Sequence, residues 1–204
     1  MRILITGFDP FGGEPVNPAW EAVKRINLSG NIEIFRLMVP TVYGRAIETV
    51  TAEAERIHPD AIVCIGQAGG RKAITPERVA INMRDARIPD NAGNQPKDVP
   101  VVPGGPAAYF ATLPVRKITE ALNAAGICSE ISYTAGTFVC NDLMYGILNY
   151  ISGRSGIIGG FIHVPCIPDQ LARMPEGTPA MELDTIVKGL ETALTVISEY
   201  IGNV

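Results

Sequence analysis

The chain has 204 residues, a formal net charge of -4, 47% hydrophobic residues and 19% charged residues. That length and balance fit a single domain over residues 1–204 with a sizeable core, far from the composition of disordered or coiled-coil chains. Lys and Arg are scattered, which leaves no electrostatic footprint for nucleic acid or an anionic membrane, and no apolar run approaches the ~20 residues of a membrane span.

Residues 3–6 read as a short buried strand, followed directly by the loop Gly7-Phe8-Asp9-Pro10-Phe11-Gly12-Gly13. The opening apolar run is too short for a signal-peptide core, so a soluble, cytoplasmic protein is expected. Asn17-Pro18 then places a cap and a first-turn proline at the start of a helix to about residue 26, before a second strand over 32–38. Ala46, Ile47, Val50, Ala54 and Ile57 recur at helical spacing over 43–57, and Pro59-Asp60 ends that helix before a strand over 61–65. Gly66-Gln67-Ala68-Gly69-Gly70-Arg71 forms the next loop, and 79–83 suits another strand.

Residues 88–107 hold five prolines and three glycines with little periodicity and read as a surface loop or lid. Helical spacing returns over 115–125, strand character over 128–133, helix over 138–150, and a strongly apolar strand over 157–163. A closing helix over 181–200 carries Leu183, Ile186, Val187, Leu190, Leu194 and Ile197 on one side, which suits either the core or an interface between copies. Apolar strands alternating with amphipathic helices predict an α/β three-layer sandwich, a largely parallel central sheet flanked by helices, of the phosphorylase/hydrolase-like kind. In such sheets, sites gather beyond the carboxyl ends of the strands, here the loops after residues 6, 65, 133 and 163.

Only two histidines are available for chemistry. His58 falls at the amino end of a strand, the wrong edge for a shared site, whereas His163 falls at the right one. Cys64 and Cys128 sit in or near strands, where cysteine usually behaves as a small buried hydrophobe. Cys140 differs, because Thr134-Ala135-Gly136-Thr137 leads from a strand into a helix and puts it in the first turn. The helix dipole there favours a thiolate, and nearby backbone N–H groups suit an oxyanion. Cys140 could equally be a helix residue packed on the sheet, and His163 a satisfied strand-end histidine; the pair is more telling than either member. Cys166 is a competing thiol, but it lies three residues after His163 between Pro165 and Pro168. A third group should hold the imidazole, and Glu77, Asp85 and Asp142 remain equal candidates on pattern alone. Four cysteines without a CxxC pair suggest neither a disulfide scaffold nor a zinc site, and no metal or cofactor is expected.

Four segments together carry a resemblance. They are GFDPFGGEPVNPAW at 7–20, GQAGGRKAITPERVAIN at 66–82, TAGTFVCNDLMYG at 134–146 and FIHVPCIPDQ at 161–170. With them the chain resembles the pyrrolidone carboxyl peptidase family, pyroglutamyl peptidases of type I, over nearly its whole length. The resemblance implies Cys140 as nucleophile, His163 as base and Glu77 as third member, in a cysteine exopeptidase that cleaves after an N-terminal pyroglutamyl residue through a thioester. It also implies a substrate pocket of Phe8, Phe11, Gln67, Phe138 and Val139, with Arg87 shaping or polarising the region, and a homotetramer acting on pyroglutamyl peptides. A neutral lactam with one N–H and one carbonyl suits apolar walls and a side-chain amide such as Gln67. An ordinary N-terminal ammonium would be rejected from such a pocket. Two other readings stand beside this one. GFDPFGG and GQAGGR could cradle phosphate in a nucleoside phosphorylase, although neither has a P-loop or Rossmann fingerprint; or Cys140 and His163 could be packing residues of a binding protein.

Overall fold

The computed structural model describes residues 1–28 and 30–203. β1 (Arg2–Phe8) and β3 (Ala61–Gln67) are buried almost end to end, as strands covered on both faces require. With β2 (Glu33–Val39), β7 (Ile158–Val164) and the two-residue β4 (Thr75–Pro76) they form a five-stranded sheet in the order β2-β1-β3-β7-β4. All pairs are parallel except β4 with β7. α1 (Pro18–Arg25), α3 (Val115–Ala124) and α5 (Leu183–Gly202) pack together on one face. α2 (Arg45–Ile57) and α4 (Val139–Ile151) pack together on the other, which completes the expected three layers.

Local signals explain most of these elements. The Asn17 side chain accepts from the Ala19 N–H at 3.1 Å, and Pro18 needs no N–H partner in the first turn, so α1 starts where the sequence predicts. α2 ends at His58, whose φ of 48° is left-handed, at the amino edge of the sheet and exposed to solvent. The apolar side of α5 buries Ile186, Leu190, Leu194 and Ile197 against the α1 and α3 layer, so it serves the core.

The chain departs from expectation in three places. Residues 128–133 form no strand; Ser129 and Ser132 make only single bridges to Ile74 and Glu77. Between those bridges stands Pro76, which has no N–H to extend a ladder. Cys128 is consequently exposed rather than packed. The strand expected over 79–83 shortens to β5 (Val79–Ile81), which leaves the main sheet and pairs antiparallel with β6 (Ala108–Phe110) over α4. Residues 88–107 form a loop, but a pinned one. The Asp90 carboxylate accepts from the N–H groups of Tyr43, Ala92 and Asn94, and the Tyr145 hydroxyl donates to the Pro106 carbonyl at 2.7 Å.

The sheet order fixes where a site can form. From β1 the chain moves outward to β2, whereas from β3 it crosses toward β7 and β4. The loops beyond the carboxyl ends of β1 and β3 therefore diverge and leave a crevice between them.

Candidate active site

A cleft of about 610 Å³ opens at that crevice. Phe11 reaches it from the loop after β1, Gln67 and Arg71 from the end of β3 and its loop, and Phe138 and Cys140 from the start of α4. His163 reaches it from β7. Four segments far apart in sequence thus converge on the sheet edge that the strand pattern singled out.

Gly66 explains where the nucleophile candidate lies relative to the imidazole. Gly66 is paired with His163 across β3 and β7, and parallel register partners project to the same face. A Cβ at Gly66 would stand 2.7 Å from the Phe161 ring and 3.1 Å from Cys140 Sγ. The missing side chain is therefore the space over which the Cys140 sulfur lies, on the face from which His163 projects. The Phe161 and His163 rings are stacked at an angle with centroids 4.7 Å apart, which restricts how the imidazole can turn.

His163 is 4% exposed, and its Nδ1 lies 2.7 Å from Glu77 Oε1. An ionised carboxylate only accepts, so Nδ1 carries the proton and Nε2 is left as the acceptor. Glu77 is placed by β4, whose Thr75 pairs with His163, and its own N–H donates to the Phe161 carbonyl at 2.9 Å. Of the three carboxylates left open by pattern, only Glu77 contacts the imidazole. Asp142 is buried but accepts from the Gly44 N–H at 2.8 Å and from Arg84, and Asp85 pairs with Lys97 at 3.1 Å.

Arg71 is a participant that the sequence reading missed. Its Nη1 donates to the same Glu77 oxygen at 2.6 Å and to Thr75 Oγ1 at 2.7 Å, while Nη2 donates to the Thr134 carbonyl at 2.9 Å. The signal was present, since an arginine immediately after Gly69-Gly70 stands in one of the four loops where sites gather. Burial opposes charge on Glu77 most strongly. Hydrogen bonds from His163 and Arg71 outweigh it and hold the carboxyl below its usual range.

The thiol contradicts one expectation. Burial, and then the Glu77 charge, push Cys140 up to about 12, against the smaller opposing effects of Arg71 and of a backbone N–H. A helix start alone does not offset that burial, although the sulfur is half-buried at the cleft. Burial likewise holds His163 below its ordinary 6.5, although Glu77 pulls the other way. Both shifts favour the neutral thiol and the neutral imidazole.

That neutral imidazole has a consequence for pH. An unfolded chain protonates this histidine near 6.5, before the folded one does, so stability is complete above that value and is lost as pH falls through the lower folded one. The melting temperature should fall from about pH 7 toward pH 5, with a shallower slope in His163→Gln, and the acid limb of kcat/KM should lie below 6.5. Melting curves and rate profiles across that interval check both.

The other predicted residues divide. Phe11 and Phe138 line the cleft with ring centroids 6.4 Å apart, and the Tyr43 ring meets Phe138 edge-on at 5.6 Å. Phe8 does not reach the cleft as a wall. It is 2% exposed and packs beside Phe161, with centroids 6.3 Å apart. The Val139 side chain is buried as well, so only its backbone can face a ligand. Arg87 lines the cleft, and among the described residues it makes no ion pair that would account for it structurally. Phe138 caps α4 with no side-chain hydrogen bond, which leaves the first N–H groups of the helix without an intrahelical or capping partner. Cys64 is fully buried in β3, where burial pushes its thiol up to about 12. No group of three or more metal-ligating side chains is found among the described residues.

Residues 1–200 match the family model described as pyroglutamyl peptidase. The chain belongs to the pyroglutamyl peptidase family. A pyrrolidone-carboxylate peptidase of Escherichia fergusonii is 49% identical over 94% of this chain and 90% of its own. Pyrrolidone-carboxylate peptidase 1 of Caldanaerobacter subterraneus subsp. tengcongensis is 52% identical over 97% and 98%. The crystal structure of Bacillus amyloliquefaciens pyroglutamyl peptidase I superposes with a TM-score of 0.93 at 49% identity, covering 98% of each chain. A mutant pyrrolidone carboxyl peptidase from the hyperthermophile Pyrococcus furiosus gives 0.93 at 40% identity over 98% and 99%. As a pyroglutamyl peptidase, the protein is a cysteine-type hydrolase that removes N-terminal pyroglutamate. Membership displaces both the phosphorylase and the non-catalytic readings, and the two glycine-rich loops serve this peptidase by delivering Phe11, Gln67 and Arg71 to the cleft.

Proposed function

We propose that Cys140, His163 and Glu77 are the catalytic residues of this peptidase and that the cleft around Phe11, Gln67 and Phe138 receives the pyroglutamyl ring. The observation that carries the reading is the buried line from Glu77 Oε1 to His163 Nδ1, at 2.7 Å, in a cleft that Cys140 also lines. His163 Nε2 takes the thiol proton as Sγ bonds to the pyroglutamyl carbonyl carbon, and the resulting imidazolium returns that proton to the departing peptide amine. Water, deprotonated by His163, then cleaves the thioester and restores the thiol. Backbone N–H groups of Val139 and Cys140 at the start of α4 receive the carbonyl oxygen as it becomes negative, with the Arg87 guanidinium beside them.

The ring lies between Phe11 and Phe138, and the Gln67 amide pairs with the lactam N–H and carbonyl. Phe8 acts through packing, by supporting Phe161 and hence the imidazole. An ordinary N-terminal ammonium would enter a cleft with apolar walls that Arg71 and Arg87 also line and whose one lining carboxylate, Asp85, is already paired with Lys97, which disfavours it. The same reading places the enzyme in the cytoplasm, supported by four cysteines that are all free thiols. It also makes the enzyme a homotetramer on peptides with an N-terminal pyroglutamyl residue, for which the exposed Phe110 is apolar surface that an assembly could bury.

Fluorophore release from a pyroglutamyl amide, beside a prolyl amide, tests the reading. Turnover of the first at a kcat/KM at least about 10³-fold above the second is expected, because a site built to hydrogen-bond a substrate carbonyl rejects a ring that lacks it. Equal rates would remove the assigned pocket.

A further inference from the structure

Behind Gln67 lies a buried chain of hydrogen bonds that the reaction does not use. Gln170, in the 3-10 turn Pro168–Arg173, is 0% exposed. Its Oε1 lies 3.2 Å from the Ile167 backbone nitrogen, its Nε2 lies 3.3 Å from Gln67 Oε1, and Gln67 Nε2 lies 3.1 Å from Cys166 Sγ. The two ends of a side-chain amide are interchangeable in shape, so their order must be fixed by a partner of one kind only. The Ile167 N–H is such a partner, because it can only donate. It turns the Gln170 oxygen toward itself, which turns the Gln170 nitrogen toward Gln67. That in turn sets the Gln67 oxygen toward Gln170 and its nitrogen toward the Cys166 sulfur.

We propose that Gln170 is a positioning residue that sets the donor and acceptor order of the Gln67 amide, and so its match to the pyroglutamyl lactam. This inference rests on the reading of Gln67 as the ring-binding amide. In the fixed order each end of Gln67 has one bond made and one in reserve: a second lone pair on Oε1 and a second N–H on Nε2. A lactam holds its N–H and carbonyl on one edge, and that edge is complementary to this pair. With Gln67 turned over, oxygen would face oxygen and N–H would face N–H. Because Gln170 is fully buried, water does not restore the order when Gln170 is changed.

The test compares a pyroglutamyl amide with its carbocyclic analogue, in which a CH₂ replaces the ring N–H, on wild type and on Gln170→Glu, Gln170→Met and Gln67→Ala. Once ionised, a glutamate accepts from both Ile167 N–H and Gln67 Nε2 and inverts the order; protonated, as burial favours, it donates to Gln67 Oε1 and keeps it, so the variant is read at alkaline pH, above its titration. Gln170→Glu should therefore lower kcat/KM for the lactam by about 10- to 100-fold, mainly through KM, and shrink the lactam preference over the carbocycle. Gln170→Met leaves Gln67 free to adopt either order, so about half of the molecules present the matched one, and it should lose about twofold on the lactam with no loss on the carbocycle. Alkylation of Cys140 by iodoacetamide should stay within about twofold of wild type in both, since the thiol and imidazole are untouched. Folding is checked by melting temperature, and the uncharged methionine variant answers the question should glutamate not fold. If Gln67→Ala collapses the lactam preference while both Gln170 variants retain it, the inference is wrong and the pocket stands. If Gln67→Ala also retains it, the assignment of Gln67 fails and takes the inference with it. Equal losses on lactam and carbocycle in the Gln170 variants would show a merely structural role and overturn the proposal.

Discussion

Cys140→Ser is expected to lower kcat/KM on a pyroglutamyl amide by roughly 10⁴-fold or more, with the melting temperature nearly unchanged. The oxygen is smaller than the sulfur and fits the space over Gly66, so the variant keeps its packing. What it loses is acidity. In this enclosed site even the thiol is held up to about 12, and a hydroxyl starts several units higher, beyond the reach of an imidazole that burial keeps below its ordinary range. Ring binding does not depend on the sulfur, so a pyroglutamyl peptide should still raise the melting temperature of the serine variant. Residual turnover within about tenfold of wild type, in protein free of contaminating peptidase, would remove Cys140 from the nucleophile position.

Glu77→Gln is expected to cost about 10²- to 10³-fold in kcat with little change in KM. Glu77 Oε1 receives both His163 Nδ1, at 2.7 Å, and Arg71 Nη1, at 2.6 Å. An amide can meet that pair with its oxygen, but its nitrogen must then occupy the position of Oε2, which is buried and has no hydrogen-bond partner. The alternative order sets an NH₂ against an arginine. In either order the imidazolium that forms during acylation has no countercharge, while the positive charge of Arg71 remains beside it. The acid limb of the rate profile should move to still lower pH, because the carboxylate that raises the His163 pKa is gone. Steady-state kinetics over pH on the variant checks both effects. A loss confined to KM would mean that Glu77 orders the pocket and not the imidazole.

The layered fold was legible because its strands and helices carry strong periodicity, and the sheet-edge rule then pointed to the carboxyl ends of β1, β3 and β7, which do meet at the cleft, whereas the segment before the fourth loop forms no strand. Cys140 and His163 followed from where those loops fall. Glu77 did not. Its selection depends on β4, two residues running antiparallel at the edge of the sheet, and no periodic pattern marks so short an element. Arg71 and Gln170 escaped for a related reason: each acts through another side chain, across 6 and 103 residues respectively, and such contacts exist only once the chain is folded. Phe8 shows the converse error. An aromatic residue in a loop beside the site looked like a wall, yet Phe8 is the last residue of β1 and turns inward. The thiol's acidity was misjudged because the helix start was visible in sequence and the burial was not.

The brevity of β4 also affects the molecule outside catalysis. A parallel sheet ending in a long free strand offers its unpaired N–H and carbonyl groups to strands of other molecules, which is a route to aggregation. At the β4 edge of this sheet the outermost strand is two residues long, includes a proline, and is crossed by single bridges from Ser129 and Ser132 on either side of that proline. It gives a foreign strand no continuous ladder to join. The stretch that presents Glu77 to the imidazole therefore also guards this edge of the sheet against uncontrolled growth, while the seven-residue β2 forms the other edge. Substitutions that would lengthen it, Pro76→Val above all, put colloidal stability and turnover at risk together.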